Sequence, residues 1–482
     1  MNGLRGLFTN RATTTNMARK VFISFLGTNN YVECRYQTDG YLSQPVRFVQ
    51  EALIEHLCKD WTENDRIFIF CTSFETTGRI GSKESNWLDD GQPKASCEIE
   101  HIGLQHRLDD LCRHIGLKPR IVEKDIKAGF TENEIWDIFS SVFNKLQKDD
   151  RIYFDVTHAF RSIPLFATVL FNYARFMLGT QLASIHYGAF EQLGTIQEAI
   201  AIPVDERIAP IVDLTSIVRL QEYNQIASSL KDFGKAKPLS AAIHASQEDA
   251  SGIIQQLTSS ISQLDEYIET IDIPKIKRGD FIRQFRQNYK KAKRENPFVG
   301  PIQKIIDELH KETEDFIDAD SFRNVEAAIN WSIKHDMLMQ AFPLAEEYIG
   351  MYVSNKFSNY IDLIGSSDRP NKKAGILKRC VIQLLGMPDE AFNNHVWEEK
   401  PLSDEKNRLL GEFLSKEETI VNLRPKFIPI REARNSLAHG NGRITYKELK
   451  KRIPNIIECL SILNPEYKDY PSTLPILEKY AH

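Results

Sequence analysis

The strongest constraint on this chain is the alternation of two hydrophobic periods over its first 213 residues. Short β-branched and aromatic runs predict strands, and the stretches between them have apolar residues at helical spacing. Strands that alternate with helices pair in parallel, so the pattern predicts a doubly wound parallel α/β sheet. The predicted strands are 20–26, 65–71, 120–122, 151–156 and 183–187, and the predicted helices are 45–58, 98–115, 131–146 and 163–178.

The strand signal ends near Asp213, and amphipathic helices follow to the end of the chain. We therefore expect three folded parts: an α/β domain over 17–213, a helical connector over 214–322 and a helical domain over 323–482. Residues 1–16 are polar, and we expect them to form a disordered extension ahead of Met17. The helices predicted for the last domain are 324–356, 374–385, 404–414, 428–438 and 447–463.

Composition excludes several classes of protein. The 482 residues are 42% hydrophobic and 26% charged, which is typical of globular chains. Lys and Arg number 61 and Asp and Glu 66, so the net charge is −5 and any nucleic acid must meet a local basic site. Seven cysteines without CxxC spacing favour a reducing cytoplasm over a disulfide framework or a zinc ribbon. No apolar run reaches the ~18 residues of a membrane span.

Small polar residues follow three of the predicted strands, at the edge where open parallel sheets bind ligands. A glycine there lets a ligand approach the backbone, and Thr and Asn side chains can bind base edges and ribose hydroxyls. A helix N-terminus beside an arginine attracts phosphate. The pattern favours a nucleotide, although it is neither a Walker A loop nor a GxGxxG motif, and ordinary strand-to-helix turns remain the alternative. The residues concerned are Gly27, Thr28, Asn29 and Asn30, then Thr72 and Ser73, then Thr157, His158 and Arg161.

A second candidate site lies in the last helical domain. Pro429 is predicted to begin a helix and Gly440 to end it, and Arg434 and His439 lie between them. An Arg and a His together can cleave RNA without a metal ion. The His moves a proton near neutral pH, and the Arg stabilises the charge on the phosphate.

The spacing of this pair is weak evidence by itself. Two other Arg–His pairs, Arg107 with His114 and Arg151 with His158, have similar separations. Residues five apart on a helix lie about 140° apart around its axis, so one chain does not align the pair on one face. Asn435 and His439 do share a face. The alternative is a helix-terminal His that interacts with the helix dipole.

Three segments together resemble one known family. FISFLGTNNY resembles the opening strand and loop of one subgroup of CARF domains, which are Rossmann-like. DVTHAFRSIP resembles the second ligand-binding motif of such domains, with Ala159 where a Gly is common. RNSLAHG resembles the HEPN R-x(4–6)-H motif, including the polar Asn435 after the Arg. In this order, they resemble the CARF–HEPN ancillary ribonucleases of type III CRISPR systems.

This resemblance implies a function. The CARF-like domain of such proteins binds cyclic oligoadenylate, expected here to be cyclic tetra-adenylate, and thereby activates a HEPN endoribonuclease. That enzyme cleaves single-stranded RNA without metal and leaves 2′,3′-cyclic phosphates. The resemblance further implies a homodimer or higher oligomer in which two copies of the HEPN motif meet across a two-fold axis, so that each Arg can serve its partner's His. It assigns catalysis to Arg434, Asn435 and His439, and ligand binding to the nine residues at the three strand ends.

Two other functions remain open. The chain could be a nucleotide-sensing regulator whose HEPN-like domain only dimerises. It could also be a ring nuclease that degrades cyclic oligoadenylate in the first domain, where Thr157 and His158 are available.

Overall fold

The chain divides into two compact units, an N-terminal unit over Met1–Arg219 and a C-terminal unit over Leu220–His482. The computed structural model describes residues 18–72, 81–88, 102–158, 162–246, 252–295, 300–364, 369–440 and 444–480. The predicted extension over 1–16 lies outside the described residues. Residues 220–482 form one unit, so the predicted limit between connector and last domain stays a prediction.

Eight strands form one sheet in the described part of the N-terminal unit, in the order β3-β2-β8-β7-β6-β1-β4-β5. The central strands β7, β6, β1, β4 and β5 are parallel, which confirms the predicted α/β class. The strands are β1 Lys20–Leu26, β2 Arg35–Thr38, β3 Tyr41–Leu42, β4 Arg66–Thr72, β5 Arg120–Ile126, β6 Arg151–Asp155, β7 Gln181–Gly188 and β8 Ile208–Asp213.

Both faces of the sheet are covered by helices, as the predicted doubly wound fold requires. These are α1 Val49–Cys58, α2 Leu104–Ile115, α3 Glu132–Phe143 and α4 Ser162–Leu178, and a short helix, α5 Ile196–Ala201, lies between β7 and β8 in the chain. Successive residues of a strand point to opposite faces. Phe22 therefore packs in one hydrophobic cluster with residues of α1 and α2, whereas Val21 and Ile23 pack in another with residues of α3 and α4.

The sheet is mixed at one edge, where the sequence predicted only parallel strands. Strand β8 runs antiparallel to β7, and β3 runs antiparallel to β2. Strands β2 and β3 contain four and two residues, too few for a hydrophobic period to show. The central part of the sheet, which carries the candidate ligand site, is unaffected by this difference.

The C-terminal unit is helical throughout its described residues and has one large hydrophobic cluster, from Tyr223 to Ile476. In the ranges that the structure describes, no helix combines the length and apolarity needed to cross a bilayer. The helices are α6 Thr215–Phe233, which crosses the unit boundary, α7 Lys237–Ser246, α8 Gly252–Glu269, α9 Ile273–Arg278, α10 Asp280–Glu295, α11 Gly300–Glu312, α12 Phe322–Lys334, α13 Leu338–Lys356, α14 Pro370–Leu385, α15 Asp389–Asn393, α16 Glu405–Leu414, α17 Glu418–His439, α18 Tyr446–Lys450, α19 Ile453–Leu463 and α20 Thr473–Tyr480.

Helix α17 is longer than the sequence predicted. Pro429 does not begin it; the helix begins at Glu418 and contains both Pro425 and Pro429. A proline inside a helix removes a backbone hydrogen bond. A continuous buried face, including Leu423 and Phe427, offsets that loss. The end of the helix is as predicted, because Gly440 adopts a left-handed conformation with φ 56°.

Candidate functional site

The three polar runs predicted in the first domain lie at the carboxyl ends of adjacent strands. Strand β1 pairs with β4 on one side and with β6 on the other. The order in which the chain adds strands to the sheet therefore reverses at β1. This is the topological switch point at which open α/β sheets bind ligands. The Gly27 loop follows β1, Thr72 ends β4, and Thr157 and His158 follow β6.

Gly27 lies where the loop after β1 contacts His158 of the segment after β6. A Cβ atom on this residue would overlap Tyr31 Oη and would lie 2.9 Å from the His158 carbonyl oxygen. Tyr31 and His158 also pack together, with ring centroids 4.2 Å apart. The structure therefore brings Gly27 and His158 together, and only glycine leaves room for this contact. Thr28 and Asn29 are exposed and Asn30 is half-buried in the same loop.

A buried carboxylate, Asp155, fixes the end of β6. It accepts hydrogen bonds from Ser24 Oγ at 2.7 Å, from Thr157 N at 2.9 Å and from Thr157 Oγ1 at 2.6 Å. Burial raises the pKa of Asp155, and these hydrogen bonds oppose that rise because they favour the charged form. Thr157 Oγ1 also accepts a hydrogen bond from Gly188 N at 2.9 Å. The Thr157 hydroxyl thus connects the ends of β6 and β7.

His158 contributes a neutral ring to this site. Burial lowers the pKa of His158 to about 3, so the imidazole carries no charge near pH 7. Its Nε2 atom is buried and has no hydrogen-bond partner among the described residues. A buried polar atom without a partner is unfavourable, so a bound molecule that paired with this nitrogen would be stabilised.

The sequence motifs did not indicate Asn86, whose side chain hydrogen-bonds to the backbone of the Gly27 loop. Its Nδ2 donates to the carbonyl oxygens of Gly27 at 2.8 Å and Asn29 at 3.0 Å, and its Oδ1 accepts from Arg47 Nη2 at 3.3 Å. Asn86 is fully buried. The Asn86 amide therefore pairs with two carbonyl groups of the loop. Asn86 lies 59 residues from Gly27 in the sequence, so no local motif predicts the contact.

Thr72 has a different environment from the other predicted ligand residues. It is buried, and its backbone N–H donates to Ser82 Oγ at 2.7 Å, while the two hydroxyls lie 3.1 Å apart. In this arrangement Thr72 anchors the residues around Ser82. The predicted ligand residues Ser73 and Arg161 lie outside the described residues.

The predicted catalytic residues lie at the carboxyl end of α17. Arg434 Nε lies 3.0 Å from Glu346 Oε2, and Arg434 Nη1 donates to Asn435 Oδ1 at 3.1 Å. His439 is exposed at the last position of the helix. The structure therefore brings Arg434 and Asn435 together. Within the described ranges, no hydrogen bond joins His439 to either of them, as the 140° separation predicts.

An open cavity of about 610 Å³ borders Asn435. Arg431 and Glu432, on the same side of α17, line it together with Gln383 of α14. The guanidinium of Arg431 donates from Nη1 to the Ile382 carbonyl oxygen at 3.3 Å. The helix thus presents a cation, an amide and a carboxylate to a space large enough for a nucleotide.

Across the ranges that the structure describes, no three His, Cys, Asp or Glu side chains come together in a group that could hold a metal ion. At the end of α17, Arg434 carries a charge, His439 can move a proton and Asn435 can form hydrogen bonds, while the Glu346 carboxylate contacts Arg434.

The fold and the two candidate sites define a class: an α/β domain with a candidate ligand site at its switch point, followed by a helical domain with an Arg–His pair at a helix end. No protein-family model matches the chain. The chain is 27% identical over 201 residues to CRISPR-associated protein MJ1674 of Methanocaldococcus jannaschii, a match that covers 40% of this chain and 28% of that protein. The name of this relative agrees with the resemblance found in the sequence motifs.

A solved structure, Enterococcus italicus Csm6 bound to cyclic hexa-2′-fluoro-hexa-dAMP, aligns with 96% of this chain and 99% of its own. The TM-score is 0.41 and the sequence identity is 12%.

Proposed function

We propose that this protein is a CRISPR-associated effector that binds cyclic oligoadenylate at the switch point of its α/β sheet and in response cleaves single-stranded RNA at the end of α17. The observation that carries the proposal is the presence of both sites in one chain. Gly27, Thr157 and His158 meet at the switch point, and Arg434, Asn435 and His439 follow in a helical domain.

The chemistry of the first site suits an adenine nucleotide. The loop after β1 offers exposed Thr28 and Asn29 side chains, which can hydrogen-bond to base edges and ribose hydroxyls. The neutral His158 ring can also hydrogen-bond to a base edge or a ribose hydroxyl, since one of its nitrogens donates and the other accepts. A cyclic ligand with internal symmetry matches a two-fold dimer of such domains, since each protomer then meets an equivalent part of the ring.

The chemistry of the second site suits RNA cleavage through the 2′-hydroxyl. The 2′-oxygen forms a bond to phosphorus, the bond from phosphorus to the 5′-oxygen breaks, and a 2′,3′-cyclic phosphate and a 5′-hydroxyl result. His439 takes the 2′-hydroxyl proton as the 2′-oxygen attacks, and it then gives this proton to the departing 5′-oxygen. Arg434 stabilises the charge that develops on the phosphate. No step in this scheme requires a metal ion.

Activation follows if cyclic oligoadenylate binds the active arrangement more tightly than the resting one. The test is cleavage of a fluorescent single-stranded RNA in EDTA, with cyclic tetra-adenylate, with cyclic hexa-adenylate and without either. We expect one ring, with cyclic tetra-adenylate favoured, to raise the rate at least about tenfold. Tight binding of a ring without cleavage would instead support the regulator that senses nucleotides and does not cleave.

Replacing Gly27 with alanine is expected to weaken binding of cyclic oligoadenylate at least about tenfold, because the added methyl forces Tyr31 or the His158 backbone to move. Isothermal titration calorimetry measures this change. Gly375→Ala is the matched control, since a Cβ there meets nothing within 4 Å. An unchanged Kd in a folded Gly27→Ala protein would show that the ligand does not bind at this loop.

A further inference from the structure

The guanidinium of Arg434 is held by a carboxylate that no sequence motif includes. Glu346 lies on α13, and its side chain is 8% exposed, against 41% for Arg434. The two side chains meet at 3.0 Å, through Arg434 Nε and Glu346 Oε2. Because one partner is buried and belongs to a neighbouring helix, the pair fixes the Arg434 side chain more firmly than a surface ion pair would.

Among the described residues, no partner engages the outer edge of the Arg434 guanidinium. Arg434 has five N–H donors. Glu346 engages Nε, and Asn435 Oδ1 accepts one donor from Nη1 at 3.1 Å. One donor on Nη1 and both on Nη2 remain, and these form the end that can bind two phosphate oxygens at once.

The pKa of Glu346 is raised overall, because burial favours the neutral carboxyl more than the nearby arginines favour the charged one. Burial raises the pKa of Glu346, whereas Arg434 and Arg431 lower it. The adjacent Glu347 opposes ionisation of Glu346, although Glu347 itself bonds to Lys378 at 2.7 Å. Arg434 and Arg431 both offset the buried charge of Glu346, and among the described residues Arg434 is the one that forms an ion pair with it.

We infer that Glu346 is a positioning residue for RNA cleavage, holding Arg434 so that its outer edge faces the scissile phosphate. The inference rests on the proposed ribonuclease function. It adds a residue of α13 to a site that the sequence places entirely on α17. Without Glu346, the Arg434 side chain would sample several rotamers, and only some of them would present the required edge.

The test compares Glu346→Ala and Glu346→Gln with Glu347→Ala as the matched control, in the activated full-length protein. We expect kcat to fall about tenfold to hundredfold in Glu346→Ala with little change in KM, because the misplaced group acts in the transition state. Glu346→Gln retains an acceptor of the same shape and is expected to recover most of kcat. Glu347→Ala is expected to cleave like the wild type.

A second measurement does not depend on activity. The Nε–H signal of Arg434, identified by its loss in Arg434→Lys, reports the contact by NMR, and we expect faster exchange with water in Glu346→Ala. Wild-type kcat in a folded Glu346→Ala protein, or an unchanged exchange rate, would overturn this inference alone. A wild-type protein that cleaves no RNA with any ring would overturn the proposed function, and the positioning role with it.

Discussion

Replacing His439 with alanine is expected to reduce ligand-activated RNA cleavage about 10³-fold, the range in which a general acid–base group acts. In the proposed mechanism both proton transfers use this residue, so neither the attack nor the departure of the 5′-oxygen would be assisted. The measurement is the single-turnover rate on a fluorescent RNA in EDTA. Binding of cyclic oligoadenylate should not change, because His439 belongs to the other unit.

The exposed position of His439 means that this variant tests catalysis without destabilising the fold. His439 is exposed at the end of α17, so its loss should change the free energy of unfolding by no more than about 0.5 kcal/mol. His114 offers a matched control, since it is an exposed histidine in the last turn of α2, close to the left-handed Gly116. His114→Ala should cleave normally. Full activity in His439→Ala would remove His439 from the catalytic mechanism.

The parts of the fold that could be predicted are those in which one physical signal dominates. Strands β1, β4 and β6 are buried apolar runs, and each was found close to its observed limits. Strand β5 was found only in part, over its first three residues. The rest of the strand contains the charged residues Glu123, Lys124 and Asp125, which hide the apolar strand pattern. These charges are tolerated because β5 is an edge strand, and Lys83 pairs with both Glu123 and Asp125.

Helix α17 shows how a local rule can mislead. Because proline is favoured in the first turn of a helix, the sequence predicts that this helix begins at Pro429. The helix instead continues through this residue, because the apolar positions on both sides of it belong to one buried face. Local propensity was outweighed by packing, which the sequence alone does not display.

The candidate sites were predictable where chain order determines position. Residues that follow adjacent parallel strands must meet at one edge, and Gly27 and His158 do. Asn86 and Glu346 could not be found in this way. Each reaches its partner from a segment distant in sequence, and an isolated Asn or Glu carries no pattern to single it out. Such contacts depend on tertiary packing.

The separation of Arg434 and His439 within one chain leads to the second large effect. We expect an equimolar mixture of Arg434→Ala and His439→Ala proteins to cleave RNA at least about tenfold faster than the two variants measured separately. After subunit exchange roughly half of the dimers contain both chains. Such a dimer has one Arg434 and one His439 on different protomers, which is the pairing that a site across a two-fold axis can use.

The control for this experiment mixes His439→Ala with a double variant that lacks both Arg434 and His439, since its mixed dimers contain no catalytic histidine. Exchange is verified by recovering an untagged chain with a tagged one, and folding of Arg434→Ala is checked first because that change leaves the buried Glu346 without its partner. Recovery only in the first mixture would establish pairing between protomers. If subunits exchange and no activity returns, Arg434 and His439 must act within one chain, and the 140° between them must close by movement at the end of α17.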